Sequence, residues 1–575
     1  MAVNQSSEAL RRPLGALRLS FPVVVVLSLV LGYVGFGQFL AGHREVSHRP
    51  IDLFYYSLQL FALGPDPFQM VRGPYPLLLE IARFSAPTAT VYAAVEAARV
   101  LFSVELSRWR ARRCRGHAIV CGDTRFADEL TRRLQQQRTE VVEVRTQVDE
   151  FVTAGEPLRI IGDARDPTVL RAAGIEHADA VYACAQGSAT NATIALAARR
   201  ARSPGAGPVE VYSHIADPDL CATFQAAFLR RPELDGVRVD FFNINQIAAR
   251  RLFDDDPLTP VDGRPPRVLV AGVTGFGTAA VVAAARSWRV SAAPTDRLPL
   301  RLVGSGAEQA LADLVQRYPF LEQVCDLSWN DLDLLRLLSM GEPAEPPDRV
   351  LVCHRTEEHA LKAAMAAERY WRGRVGSVVV RLERLGSALA DERRDGTALL
   401  DDGSGVLRPF GVVAAACDPA LIREDLIERL AQVIHERYRE GRRARGEWSP
   451  DDPSLAPWDR LTQPLRQANR AQAEDIGRKL ADVHCAISPR LSRDGDAVLS
   501  TADLELLARQ EHERWCAERE GSGWQFDPVR SDERKLHPAL RPWQALPEHF
   551  RQRCHDAVSE LSDILADAGF RIVRG

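Results

Sequence analysis

Residues His117–Leu134 read HAIVCGDTRFADELTRRL, and this stretch decides the fold of the chain's central region. Ala118–Cys121 is a short apolar run, suited to a strand covered on both faces. It ends at Gly122, after which Phe126, Leu130 and Leu134 recur at helical spacing. A second strand is expected at Glu140–Val144, so the stretch opens a βαβ unit. Leu158–Ile175 (LRIIGDARDPTVLRAAGI), a strand at Ala180–Cys184 and a helix through Asn191 continue the alternation.

The unit recurs. An acidic, proline-bearing linker (DDDPLTPVDGRPP, Asp254–Pro266) leads to strand Val268–Ala271, then Gly272, Gly275 and Gly277 and a helix of small residues. Strands at Leu300–Val303, Val350–Cys353 and Val378–Leu382 would complete a second sheet. The expected fold is α/β multidomain, with two Rossmann-like parallel-sheet domains at 116–256 and 266–420. In both, a threonine stands where the GxGxxG fingerprint has its middle glycine: Thr124 in the first loop, Thr274 in the second. The second loop, Gly272, Thr274, Gly275, Phe276 and Gly277, is uncharged and can cradle an anion; the copy can equally be structural, packing on the first.

The first unit resembles the N-terminal domain of the regulator of potassium conductance family, the Trk-type NAD-binding domain. The IVCG strand, Gly162-Asp163-Ala164, Asp166-Pro167, the run Leu170–Ile175 and Ala178-Asp179-Ala180 carry the likeness. It implies a nucleotide, NAD(H) or another, held by Gly122, Asp123, Thr124, Arg125 and Phe126, with Asp163 and Ala164 beside it. The acid that family uses for the ribose hydroxyls is replaced by Arg145, which suits a phosphate or signals a ligand other than NAD.

Upstream, Phe21–Ala41 (FPVVVVLSLVLGYVGFGQFLA) carries no charge and can span a hydrocarbon core of about 30 Å. It is too long for a signal-peptide core, and Arg11, Arg12 and Arg18 before it place the N-terminus inside. A second helix is expected over 76–106, interrupted by Glu80, Arg83, Glu96 and Arg99. These form i,i+3 pairs that either line a pore or sit at the two interfaces. Ile51–Phe68 between them is a re-entrant or an interfacial piece, and the TVGYG filter run is absent. Arg108–Arg115 then sets the cytoplasmic face for the lipid bilayer. Residues 1–115 are thus expected to form a multi-pass segment of the cell inner membrane, both termini cytoplasmic.

At the other end a motif repeats. His435-Glu436-Arg437-Tyr438 and His512-Glu513-Arg514-Trp515 each precede a Pro-Trp-x-x-Leu, at Pro457-Trp458 and Pro542-Trp543. Two mainly helical repeats are expected, 421–487 and 500–575. The second resembles the RyR domain first recognised in ryanodine receptors, through Trp515, Gly523-Trp524, Asp532, Lys535, His537-Pro538 and Pro542-Trp543; it departs at Asp527, where that family has glycine. Its ligand-facing candidates are His512, Trp515, Arg519, Trp524, Arg530, Lys535, His537 and Trp543, since aromatic rings and cations together stack bases and grip phosphate.

Composition narrows the function. The apolar share (46%) and charged share (26%) are those of globular matter, and a net charge of −4 argues against bulk nucleic-acid binding. The arginine-dominated basic set points to a GC-rich, bacterial genome. Ten scattered cysteines without a CxxC pair, and no Cys/His zinc spacing, leave no metal motif and suit a reducing compartment. No hydride-transfer site accompanies either glycine unit, so no enzyme is expected. The order of segments resembles a bacterial arrangement of a two-helix membrane unit, tandem Trk-type domains and tandem RyR domains. The expectation is a ligand-gated ion channel or cation (potassium) transport effector sensing a small nucleotide-type ligand; the alternative is a membrane-anchored sensor or scaffold in stress or antiviral signalling. Two helices cannot enclose a pore, so the channel form requires a homo-oligomer such as a tetramer.

Overall fold

The structure is a computed structural model and describes residues 3–41, 46–47, 49–62, 64, 67–70, 73–147, 157–203, 205–229, 236–291, 296–341, 346–370, 377–384, 407–424, 426–449, 452–492 and 495–575. It divides into two units, Met1–Ser107 and Arg108–Gly575.

In the first unit the apolar segment belongs to a longer helix, Val3–Leu40. Of the described helices, only its Pro22–Leu40 portion is long and apolar enough to cross a membrane. The expected 76–106 helix runs instead from Leu77 to Arg113, continuing through the arginine run because arginine is a good helix former. Its charges keep it below that apolarity, so its composition does not establish a second span. The intervening segment forms helix Pro50–Gln59, a 3₁₀ turn Leu60–Ala62 and a short helix Pro67–Met70; Pro65 and Asp66 lie outside the described residues.

Small residues let these elements meet closely. A Cβ on Gly35 would lie 2.8 Å from the backbone of Leu79, and Ser28 Oγ donates to Ser85 Oγ at 2.7 Å. Close approach through glycine and serine is the packing mode of helices that gain nothing from hiding apolar surface from lipid. Phe36, Leu40, Leu53, Leu60 and Leu79 fill the contact.

The second unit holds the two expected sheets. In the first, β1 (His117–Cys121), β2 (Val141–Arg145), β3 (Leu158–Ile161), β4 (Ala178–Ala183), β5 (Val209–His214) and β6 (Val237–Phe242) lie in the order β3-β2-β1-β4-β5-β6. In the second, β7 (Val268–Ala271), β8 (Leu298–Val303), β9 (Cys325–Asn330), β10 (Arg349–Val352), β11 (Val378–Arg381) and β12 (Leu407–Phe410) repeat that order as β9-β8-β7-β10-β11-β12. Every pairing in both is parallel. This is the doubly wound dinucleotide-binding order, whose switch points fall between β1 and β4 and between β7 and β10. Strand ends shift by one or two residues from expectation. The shift that matters puts Arg145 inside β2 and buries it.

The sheets share one core. Phe126 and Leu130 of helix Arg125–Gln136, Ala248 and Leu252 of Ile244–Asp255, and Phe276, Ala280 and Trp288 of Gly275–Ser291 form a single buried cluster. At about 1.5–3 kcal/mol for each large side chain removed from water, this contact holds the two sheets as one body. The opposite face of the first sheet buries Ile119, Val142, Leu170 and Ile194 together with Ala111, from the last turn of the Leu77–Arg113 helix.

The C-terminal helices Leu426–Ala444, Gln463–Asp482, Thr501–Gly521, Glu548–Ser559 and Leu561–Asp567 share another cluster. The expected boundary at 487 falls inside strand Cys485–Pro489, which pairs antiparallel with the terminal strand Phe570–Arg574. The two motif copies therefore share a sheet and a core, a non-local pairing that motif spacing does not encode.

Candidate functional site

Each glycine turn is built by the same bonds. Gly122 has φ +132°, and a Cβ there would lie 2.6 Å from the Ala185 nitrogen; Gly272 has φ +115°, and a Cβ would meet Cys353 and His354 backbone at 2.9–3.0 Å. Only glycine passes so close to the neighbouring strand. Thr124 Oγ1 donates to the Cys184 carbonyl (2.7 Å) and accepts from the Ala127 amide (3.2 Å). Thr274 Oγ1 donates to the Cys353 carbonyl (2.8 Å) and accepts from the Gly277 amide (3.1 Å). The threonines are helix caps that tie the loop across the switch point, which explains why both copies carry one.

The remaining first-loop residues are mostly engaged. Asp123 accepts from the Thr146 amide (3.2 Å) and hydroxyl, linking the β1 and β2 ends. Arg145 pairs with Glu143 (2.7 Å) and Asp128 (2.6 Å), and Glu143, itself buried, also holds Arg159 (3.0 Å). Burial pulls the Arg145 guanidinium down, but these carboxylates outweigh it and raise its pKa. Arg145 is thus an internal ion-pair centre, not a phosphate clamp. Asp163 binds Arg165 through both oxygens (2.6–3.0 Å), and this hydrogen bonding holds its carboxyl below the usual range. Ala164 is buried. Arg125, at the start of its helix, is exposed.

In the second loop Phe276 turns inward: it is buried and stacks on Phe410 (5.5 Å), so it packs the core and does not face a ligand. Gly275 faces outward under the Asn245 side chain.

Gly275 and Thr278 line a cleft of about 1220 Å³ between the two sheets' helices and helix Leu426–Ala444. No motif announces it; its residues come from segments far apart in sequence. Arg250, Arg286 and Arg429, from three different helices, face it. Desolvation lowers the pKa of Arg250, as do Arg429 and Arg286, against an upward pull from Asp254. Arg286 is lowered by burial and by Arg429, against Tyr318. Arg250 also pairs with Glu424, and Arg429 donates to Gln225 at 2.8 Å. Three mutually repelling guanidinia lining one cleft suit a polyanion.

The C-terminal set separates into two. His512 is buried and its Nε2 donates to the Arg541 carbonyl (2.8 Å), as His435 Nε2 does to the Ala456 carbonyl (2.8 Å). In both copies the acceptor is the residue before Pro-Trp, so the recurring histidine fastens that turn. Trp543 is buried, its Nε1–H donating to Glu505 (3.1 Å). These two are structural. Trp515, Trp524 and His537 instead form a half-buried aromatic cluster: Trp515 lies 4.9 Å and Trp524 6.3 Å from the His537 ring, edge-on, and the Arg519 guanidinium stands 5.1 Å over Trp524. Burial, with Arg530 and Arg519 nearby, pushes His537 down to about 4. Lys535 donates to the Ser522 carbonyl (3.0 Å) and Arg530 pairs with Asp532 (2.9 Å).

In the first unit Glu80 and Arg83 lie 3.9 Å apart, and Arg83 stands over Phe68 (5.4 Å) and Tyr75 (5.1 Å). The side chains of Glu96 and Arg99 lie outside the described residues.

One cluster had no sequence signal. Asp333, capping helix Leu334–Ser339, meets His354 and His359 beside the β7–β10 switch point. Burial, then His359, lowers the pKa of His354 against Asp333.

Residues 118–230 match the family model of the TrkA-N domain, and residues 500–574 match that of the RyR domain. Among solved structures, GsuK bound to ADP aligns at 16% identity over 70% of this chain and 96% of its own, with a TM-score of 0.35. The GsuK channel bound to NAD aligns at 15% identity over 73% and 86%, with a TM-score of 0.34. The A chain of dipicolinate synthase from Bacillus subtilis aligns at 10% identity over 58% and 99%, with a TM-score of 0.21. The fold rests on the two strand orders and not on these scores. The chain carries a TrkA-N domain and a RyR domain on one polypeptide.

Proposed function

We propose that this protein is a membrane-anchored sensor whose cytoplasmic domains bind a nucleotide-type polyanion and thereby gate ion, in particular cation, passage through a homo-oligomeric membrane segment. The observation that carries the reading is the cleft lined by Arg250, Arg286 and Arg429, which act on one another electrostatically. A phosphate-bearing ligand there relieves their repulsion and touches both sheets and the C-terminal helices at once. A ligand shifts a conformational equilibrium only by its differential affinity for the two states, and one that bridges three elements has the means. The TrkA-N and RyR matches support the reading from the side of the binding modules.

On the membrane side, Pro22–Leu40 supports one span. For the second helix the supporting feature is a helically spaced row of exposed apolar residues, Leu77, Ile81, Phe84, Val91, Val95 and Phe102. Such a row suits lipid contact, with the Glu80–Arg83 pair at the bilayer edge. The reading assigns no catalytic step; an NADH absorbance change dependent on an added substrate would argue for an enzyme instead.

The test is ion flux in liposomes holding the full chain, with and without the small molecules that mass spectrometry finds retained by the purified protein. Ligand-dependent flux, lost in Arg429→Ala, is the expected result. Binding intact with no flux under any retained ligand would convert the protein to a sensor or scaffold without conductance. Retention of no phosphate-bearing molecule, with undiminished flux, would overturn the ligand reading.

A further inference from the structure

We propose that Asp333, His354 and His359 form a binding site for a first-row divalent transition metal, of the zinc class, at the switch point of the second sheet. It stands independently of the nucleotide reading.

Two segments deliver the donors, one carrying Asp333 and the other His354 and His359. Asp333 ends the loop after β9; its Oδ1 accepts from the Leu335 amide (2.9 Å), which leaves Oδ2 turned toward the histidines. His354 lies just beyond β10, and His359 sits in the first turns of helix Glu357–Tyr370. One ligand atom from each lies within 4.8 Å of the others. His359 Nε2 is 2.9 Å and His354 Nε2 3.9 Å from the same Asp333 Oδ2. The two rings meet edge-on at 4.3 Å and 86°. Donors bound at about 2.0–2.1 Å to one tetrahedral ion stand roughly 3.3 Å apart, a value the two observed spacings bracket.

The second observation is His354 itself. It is 9% exposed, and its Nε2 is buried without a hydrogen-bond partner although it points at the Asp333 carboxylate and the His359 ring. A buried imidazole nitrogen left unpaired is destabilising, and a metal ion is the partner that would satisfy it without displacing Asp333 or His359. Two imidazoles and one carboxylate are a borderline donor set that favours first-row transition ions over magnesium or calcium, which take oxygen. Three protein ligands leave a coordination position open, as at sites that also bind water or a small ligand. The His354 backbone nitrogen lies 3.0 Å from where a Gly272 Cβ would be, so the site stands beside the second glycine turn.

The test uses the full chain purified in detergent, stripped with chelator, then titrated with Co²⁺ and in parallel with Zn²⁺. The expected result is one equivalent per chain, a visible d–d spectrum of nitrogen and oxygen donors without a thiolate charge-transfer band, and displacement of Co²⁺ by Zn²⁺. His359→Ala, a half-exposed position that leaves the fold intact, should weaken binding at least tenfold. Asp333→Asn keeps the helix cap and should weaken it by a similar factor. Stoichiometric binding unchanged in both variants would place the metal elsewhere and overturn the assignment, as would a cobalt–thiolate band or no bound metal in the wild-type chain.

Discussion

Gly174 and Ala111 meet backbone to backbone: Gly174 has φ +82°, and a Cβ built on it would overlap the Ala111 carbonyl oxygen. Ala111 lies in the last turn of the Leu77–Arg113 helix and is fully buried among Ala173 and Ile175. That turn is therefore part of the first sheet's core. Gly174→Ala should destabilise the second unit by about 1–3 kcal/mol, from the left-handed backbone and the overlap together. Gly205→Ala is the control, since Gly205 has φ +85° but nothing within 4 Å. Thermal unfolding should show a clearly larger drop for the Gly174 variant; equal drops would mean the helix turn yields freely.

Arg145 separates a structural from a binding role. Removing it by Arg145→Ala leaves the buried Glu143 carboxylate with Arg159 alone, at a cost of about 3–5 kcal/mol. The double variant Glu143→Gln/Arg145→Met should recover most of that loss in urea unfolding. Failure of the double variant to recover would show that Arg145 contributes something beyond the ion pair.

The aromatic cluster of the RyR domain makes a different prediction. Trp524→Ala removes a half-exposed stacking face under Arg519 and should weaken a stacked base by about 1–3 kcal/mol, roughly five- to 150-fold, with little change in melting temperature. Trp543→Ala should do the reverse and lower stability by about 3–5 kcal/mol, because Trp543 is core. Calorimetric titration with the retained ligand, alongside melting, distinguishes them. An unchanged affinity in Trp524→Ala would confine ligand recognition to the cleft.

His214 gives a pH dependence. Burial pushes it from its ordinary 6.5 down to about 4, and its buried Nε2 has no hydrogen-bond partner. As pH falls below 6.5 the unfolded chain takes up the proton first, so stability drops between pH 6.5 and about 4, by up to roughly 1.4 kcal/mol per unit for this group. His214→Phe preserves the packing against Phe126 and Phe242 and should flatten that slope in denaturant titrations. His117, His354, His435 and His537, lowered in the same direction, contribute to the slope that remains, as do lowered carboxylates such as Asp348 and Glu511.

Much of this architecture is local and therefore legible in the chain. Apolar runs ending at Gly122 and Gly272 set the two strand–turn–helix units, because only glycine can pass the neighbouring strand so closely. The uncharged run from Phe21 marks the membrane-length helix through transfer energy alone, and the His-Glu-Arg and Pro-Trp spacings mark a real common turn. Side-chain roles were different, because they depend on which distant segment arrives opposite. Thr124 and Thr274 tie their loops across the switch points only because the Cys184 and Cys353 carbonyls stand opposite. Arg145 became an ion-pair centre when Glu143 and Asp128 converged on it, and Phe276 became core when the second sheet's helix packed inward. The arginine cleft draws on segments separated by whole strands and helices, and Asp333 reaches His354 and His359 across a helix and a strand, so tertiary packing created both.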